Sequence, residues 1–299
     1  MMNIVIAGGT GFVGNQLTEA LINRGDHVYI LTRNPQVYHD RFQVTYVGWD
    51  PARGEIEDTL PAIDCVINLA GDSLFGYWTK KKKQRIYQSR IDATKTLINW
   101  MKHTEVHTFI NASAVGYFGT SETETFTEET DTQGDDFLAK VTSAWEGTAL
   151  EAETLGIRTV LTRFGVILSK DDGALPLMAL PFRLFVGGKI GNGKQWVPWV
   201  HIDDVVQLLM FAIDHYSLQG ALHVTAPEPV RNERLAKALS TVLHRPKWFT
   251  TPAKLMQLGL GDMSILITDG QYVLPKKAKS FGYQFQYTSI EQALHAIYT

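Results

Sequence analysis

Short apolar runs of strand length alternate with longer segments of helical period through the first half of the chain. Strand signals fall at residues 3–7, 27–31, 43–47, 65–69, 108–112 and 159–163, and helical signals at 13–24, 82–102 and 137–153. In the last of these, Ala139, Ala144, Ala149 and Leu150 supply much of the small or apolar face. Gly25 and Gly156 stand where the first and third helices should stop. Strand–helix alternation of this kind predicts right-handed βαβ crossovers and a parallel sheet. Past Arg163 the pattern changes to a loop-rich stretch dense in Gly, Pro and aromatics, from Gly173 through Pro181 to Gly193, which predicts the start of a second lobe. The chain should return to the sheet around 201–213 and 220–225, then leave for a helical C-terminal region from Arg231.

Composition changes little in this picture but narrows the function. With 299 residues, 44% of them hydrophobic and 20% charged, the chain can bury a large core and divide into two lobes. A formal charge of −3 gives no general attraction for nucleic acid or an anionic membrane, so the expected partner is a small molecule. The single cysteine, Cys65, lies in an apolar run and has no internal disulfide partner; it reads as a buried strand residue. The first residues lack a charged n-region and reach glycine before an apolar h-region forms, and no apolar stretch is long enough to cross a bilayer. A cytoplasmic protein with no signal peptide and no membrane span is expected.

The chemistry concentrates at the first strand–helix junction. Gly8-x-x-Gly11-x-x-Gly14 follows an apolar strand and opens a helix, which is the context that gives such glycines meaning. Glycines permit a tight turn and close approach of a pyrophosphate, while free N–H groups and the helix dipole stabilise its charge. Thr10, Phe12 and Val13 would add contacts there. About twenty residues on, NAD sites place an acid for the ribose 2′-hydroxyl. This chain reads Leu31-Thr32-Arg33-Asn34 instead. A guanidinium binds a 2′-phosphate that a carboxylate would repel, so Thr32 and Arg33 predict NADP(H).

These residues, with Asn68-Leu69-Ala70-Gly71 and Trp199-Val200-His201-Ile202-Asp203-Asp204, resemble the extended short-chain dehydrogenase/reductase superfamily of nucleotide-sugar epimerases and dehydratases. Ser113-Ala114-Val115-Gly116-Tyr117-Phe118-Gly119, Trp145-Glu146, Gly191 to Trp196 and Gly261-Asp262-Met263 are similar to its "epimerase family protein" branch, over essentially the whole chain. The resemblance implies a doubly wound parallel α/β sheet, a Rossmann domain, with a smaller mixed C-terminal substrate lobe. The NADP(H)-binding domain would cover 1–168 and recruit about 201–226; the lobe would cover 169–299, with a family-specific region from about 246. It further implies that Leu69, Ala70 and Gly71 line the cofactor beside its adenine-ribose half, with Asp72 just beyond.

In that superfamily a Ser or Thr orients the substrate, a Tyr acts as acid/base, and a Lys four residues later lowers the Tyr pKa. Ser113 is the hydroxyl expected here, although counting back from Gly119 puts Ala114 at the register some relatives use. The Tyr and Lys places fall on Phe137 and Val141, or on Leu138 and Thr142 in the adjacent register, so the pair is missing. Tyr117 is the candidate replacement, given Lys140, Arg163 or the nicotinamide charge nearby.

Other features stay open between chemistry and structure. Lys80–Lys83 could neutralise a phosphate or form a solvated helix face, and the loop 187–193 could fold over a substrate or simply connect the lobes. The acidic stretch 122–136 could be a lid or a solvated connection, and His201 with Asp203 and Asp204 reads as structural. No metal-ligand spacing occurs. The expected function is an NADP(H)-dependent oxidoreductase or epimerase acting on a small polar, sugar-like carbonyl or alcohol. The competing expectation is a non-catalytic NADP(H)-binding sensor. A helix pair beside the sheet could form a symmetric homodimer.

Overall fold

In the computed structural model, which describes residues 1–56 and 60–299, the chain opens with β1 (Asn3–Ala7), α1 (Phe12–Arg24), β2 (His27–Thr32), β3 (Val44–Asp50), β4 (Glu55–Ile56) and β5 (Cys65–Asn68). Then come α2 (Lys80–Met101), β6 (Thr108–Ala114), β7 (Thr125–Phe126), α3 (Phe137–Leu150) and β8 (Arg158–Phe164). Eight strands form one sheet in the order β13-β8-β6-β5-β1-β2-β3-β4, where β13 is Gly220–Val224. Every pairing in it is parallel except the short β4 on β3. The strand order reverses between β1 and β5, and in open α/β sheets the crevice at such a reversal is where ligands bind.

Successive residues of a strand face opposite sides of its sheet, and β1 shows how both sides are filled. Ile4 and Ile6 pack with Leu17 and Leu21 of α1 and with Val205 and Leu209 of α5 (Ile202–Asp214), whereas Val5 and Ala7 pack with Leu97 and Ile98 of α2 and with Ala149 of α3. Gly25 ends α1 at φ 96°, a left-handed conformation glycine adopts without strain. Its N–H donates to Ile22 O while that of Asp26 reaches Leu21 O. Thr79 caps α2 by accepting from Lys82 N, so this helix starts two residues before the expected 82. Regular α-helix in α3 ends at Leu150 rather than 153, because the chain tightens into a 3-10 turn over Glu151–Leu155.

The remaining elements are β9 (Val166–Leu168), α4 (Leu175–Arg183), β10 (Gly188–Ile190), β11 (Trp196–Val197), β12 (Trp199–His201), β14 (Val230–Arg231), α6 (Asn232–Val242), β15 (Phe249–Thr251), α7 (Ala253–Leu260), α8 (Ile265–Thr268), β16 (Tyr272–Val273), α9 (Lys276–Ser280) and α10 (Ile290–Tyr298). A separate core joins α4, α6 and α10 through Ala179, Phe182, Leu235, Leu239, Leu294 and Ile297. Loop 187–193 is largely taken up by pairing, since β10 lies parallel to β15.

The acidic stretch is exposed over most of its length and tethered near its middle. Its β7 pairs with β16, Phe126 is buried, and Glu128 accepts the backbone N–H groups of His223 and Lys277. No helix among the described residues is long and apolar enough to cross a membrane.

Candidate functional site

Gly8 leaves β1 at φ 82°, and a Cβ there would stand 2.9 Å from the Leu69 carbonyl. A Cβ on Gly14 would stand 2.3 Å from Gly8 O, so only glycine lets the first turn of α1 close onto the strand end. Gly11 N-caps α1 and no side chain satisfies the N–H groups that follow, leaving donors and the positive end of the helix dipole for an anion. Such a cradle can take a phosphate anion, with the ends of β1 and β5 in contact across the strand-order reversal.

On one side of the cradle lies a cavity of about 670 Å³, lined by Gly8, Thr10, Gly11, Thr32, Arg33, Leu69, Ala70, Gly71 and Asp72. Sequence reasoning missed its far wall, Trp49 to Ala52 at the end of β3 and Gln88 and Asp92 on α2. The Arg33 side chain is exposed at its edge and makes no ion pair with the described residues. Asp72 is committed to structure. Its carboxylate accepts from Lys82 at 3.1 Å and Arg85 at 3.3 Å, its N–H donates to Ser89 Oγ, and its carbonyl accepts from Arg90. Partial burial acts to raise the Asp72 pKa, but Lys82 and Arg85 outweigh it and hold the carboxyl below its ordinary value. The lysine run therefore carries one loop tether, at Lys82, and another where Lys83 meets Asp262 at 2.6 Å.

On the other side is an inner cavity of about 470 Å³, sharing Gly8, Gly11 and Leu69 with the first and adding Phe12, Val13 and Gly14. Ser113 lies on its wall, nearly buried, with its Oγ donating to Glu146 Oε1 at 2.5 Å. Arg163 grips the same carboxylate from Nε at 2.7 Å and Nη2 at 2.8 Å. Arg90 also reaches this cavity. Burial pushes its guanidinium pKa down to about 10, and its Nη1 is already bonded to Asp72 O and Ile86 O.

Tyr117, expected as a replacement base, is not among the residues lining the inner cavity. Its ring lies over the Arg163 guanidinium, with Cζ 3.7 Å from the centroid, and packs edge-on against Phe118. Arg163 is thus beside Tyr117 as the pairing required, but it meets the face of the ring and the contact is a cation–π one. That contact uses the face of the ring for packing and puts a guanidinium beside Tyr117. In the two registers expected for the usual Tyr and Lys, Phe137 packs edge-on against Trp78 while Val141 lines the cavity, and Leu138 and Thr142 both line it. Gln195 holds the cavity rim by donating to Ile190 O and Ile267 O, and Trp196 lines it beneath Arg231. Asp204 accepts from Tyr283, Gln286 and Tyr287, which keeps the His201 region structural.

A parallel sheet, a glycine cradle at its strand-order reversal and an uncapped helix terminus define a nicotinamide-dinucleotide-binding protein of the Rossmann type. Residues 4–224 match the NAD dependent epimerase/dehydratase family and residues 251–297 match a domain of unknown function, DUF1731. The chain belongs to the NAD dependent epimerase/dehydratase family, within the extended short-chain dehydrogenase/reductases. It is 46% identical over 296 residues to epimerase family protein YfhF of Bacillus subtilis strain 168, covering 98% of this chain and 97% of that one. It is 41% identical to epimerase family protein SH2119 of Staphylococcus haemolyticus over 98% of both. Among solved structures, human epimerase family protein SDR39U1 (isoform 2) with NADPH superposes with a TM-score of 0.87 at 28% identity, covering 99% of each chain. A Bacillus cereus UDP-glucuronic acid 4-epimerase bound to UDP-glucuronic acid and NAD superposes at 0.78 with 16% identity, covering 99% of this chain and 98% of that one, a likeness of fold alone.

Proposed function

We propose that this protein binds NADP(H) and acts as an oxidoreductase or epimerase on a carbonyl or alcohol carbon held in the inner cavity. The observation that carries the reading is the Gly8–Gly14 cradle opening onto a cleft whose edge holds Arg33 where an acid would select NAD. The NADPH named with the human structural neighbour supports the same choice.

The first-turn N–H groups of α1 bind the pyrophosphate, Thr32 and Arg33 receive the 2′-phosphate, and Leu69, Ala70 and Gly71 flank the adenine-ribose half. When bound, the nicotinamide supplies or accepts the hydride. Ser113 Oγ, whose proton goes to Glu146, is placed to accept from a substrate hydroxyl, and Glu146 with Arg163 positions it. Phe12, Val141 and Trp145 exclude water from the same cavity.

A panel of aldehydes and ketones incubated with the protein and NADPH tests the reading. Substrate-dependent loss of absorbance at the reduced-nicotinamide band, abolished in Ser113→Ala, is the expected result. Tight NADPH binding with no turnover of any member would instead favour the sensor reading, for which the specific observation is that neither Val141 nor Thr142, both on the cavity wall, supplies the usual Lys.

A further inference from the structure

Beside the inner cavity lies another of about 720 Å³, inside the range of about 300–1,000 Å³ typical of small-ligand sites. The two adjoin, with Phe12, Leu74, Val166, Met178, Asn232 and Leu266 lining both. The second is walled by α4, α6, α7 and α8, through residues such as Leu177, Phe182, Leu235, Met256 and Leu266. No charged side chain lines it; Ser73, Asn232 and Thr251 are its only polar residues among those described.

This lining suits one ligand chemistry and not another. A nucleoside diphosphate brings two phosphate charges that need cations, yet the inner cavity offers Arg90 against two carboxylates, Asp136 and Asp269. Arg90 already spends Nη1 on two carbonyls. Asn232, which is nearly buried, accepts the Ile190 N–H at Oδ1, and that fixes the orientation of its amide. Its Nδ2 donor then has no partner among the described residues, at the junction of the two cavities. The apolar character continues outward at the mouth. Leu177 is 58% exposed, and α7 has no buried residue although Met256 and Leu260 line the cavity.

We propose that the substrate is a carbonyl or alcohol bearing a long apolar chain, with its oxygen-bearing end in the inner cavity and its chain in the cavity of α4, α6, α7 and α8. The proposal rests on the reading that the inner cavity is the reacting site. Asn232 Nδ2 donates to an oxygen near the head of that chain, and the α4–α7 mouth is its route of entry.

Displacement of N-phenyl-1-naphthylamine from the full-length protein by the straight-chain alcohols hexanol, octanol and decanol tests this without turnover. Each added methylene should tighten binding about fourfold. Leu177→Glu and Leu260→Gln should each weaken decanol at least about tenfold while NADPH still binds, which shows that the fold survives. Affinity independent of chain length, or UDP-glucuronic acid displacing the probe more strongly than decanol, would overturn the proposal. So would a Leu177→Glu variant that splits a dimer into monomers with decanol binding unchanged, because the mouth would then be an interface between copies of this chain. Chain-length-dependent binding with no NADPH consumption by the matching aldehydes would leave the ligand class standing and remove the oxidoreductase reading.

Discussion

Arg163 holds Glu146 through two parallel hydrogen bonds, of 2.7 and 2.8 Å, where both side chains are almost wholly buried. Such a pair adds little net stability over an apolar replacement, because both ions lose their water, but breaking it strands a charge. Arg163→Met should cost about 3–5 kcal/mol in urea unfolding, and the double change Arg163→Met with Glu146→Leu should recover most of that. Equal losses in the single and double variants would show that the pair is not coupled.

Ser113 and Tyr117 separate by their relation to the inner cavity. Ser113→Ala should lower kcat by about tenfold or more while NADPH affinity is kept, if the hydroxyl on the cavity wall holds the substrate as proposed. Tyr117→Phe should leave kcat within about twofold, since the ring on Arg163 is retained and Tyr117 is not among the residues lining the cavity. A larger loss in Tyr117→Phe than in Ser113→Ala would reverse these roles.

His223 gives the fold an acid limit. Burial lowers its pKa to about 4, against the opposing Glu128 carboxylate and the Leu274 carbonyl bonded to Nδ1; Arg163 also acts to lower it, while Glu146 acts to raise it. The unfolded chain therefore binds the proton first, and stability falls as pH drops from about 6.5 towards 4, by up to roughly 3 kcal/mol. Urea midpoints measured across that window should show this slope, and His223→Asn, which cannot titrate, should flatten it. An unchanged slope in the variant would assign the acid sensitivity elsewhere.

Gly8 should tolerate no side chain. At φ 82°, with Leu69 backbone 2.9 Å from any Cβ, Gly8→Ala must move the β1 and β5 ends apart. NADPH affinity should fall by at least about tenfold, equivalent to about 1.4 kcal/mol, in a calorimetric titration. Gly54→Ala, at an open loop position of similar φ, 76°, serves as the control and should leave the affinity alone.

The parallel sheet was legible because its strands are short apolar runs separated by glycine-punctuated helices, and that period survives in the sequence from Asn3 to Phe164. Two-residue strands such as β7, β14 and β16 carry no period and exist only through remote partners, so the strapping of the acidic stretch could not be read. The cradle was legible because glycine spacing reports backbone geometry directly. Glu146 and Arg163 were not read as a pair, since they lie on different elements. The available signal was a lone acid in an apolar helix and an arginine near the end of an apolar strand. Nor could the apolar cavity be foreseen, because its walls come from four helices whose apolar residues look like ordinary core in one dimension.

Parallel titrations of the protein with NADPH and NADH at one ionic strength test the cofactor claim most directly. NADPH should bind about 10- to 100-fold more tightly, from charge-assisted bonds worth about 1.5–3 kcal/mol, and Arg33→Ala should erase the difference. Equal affinities, or an unchanged preference in Arg33→Ala, would contradict the assignment of Arg33 to the 2′-phosphate.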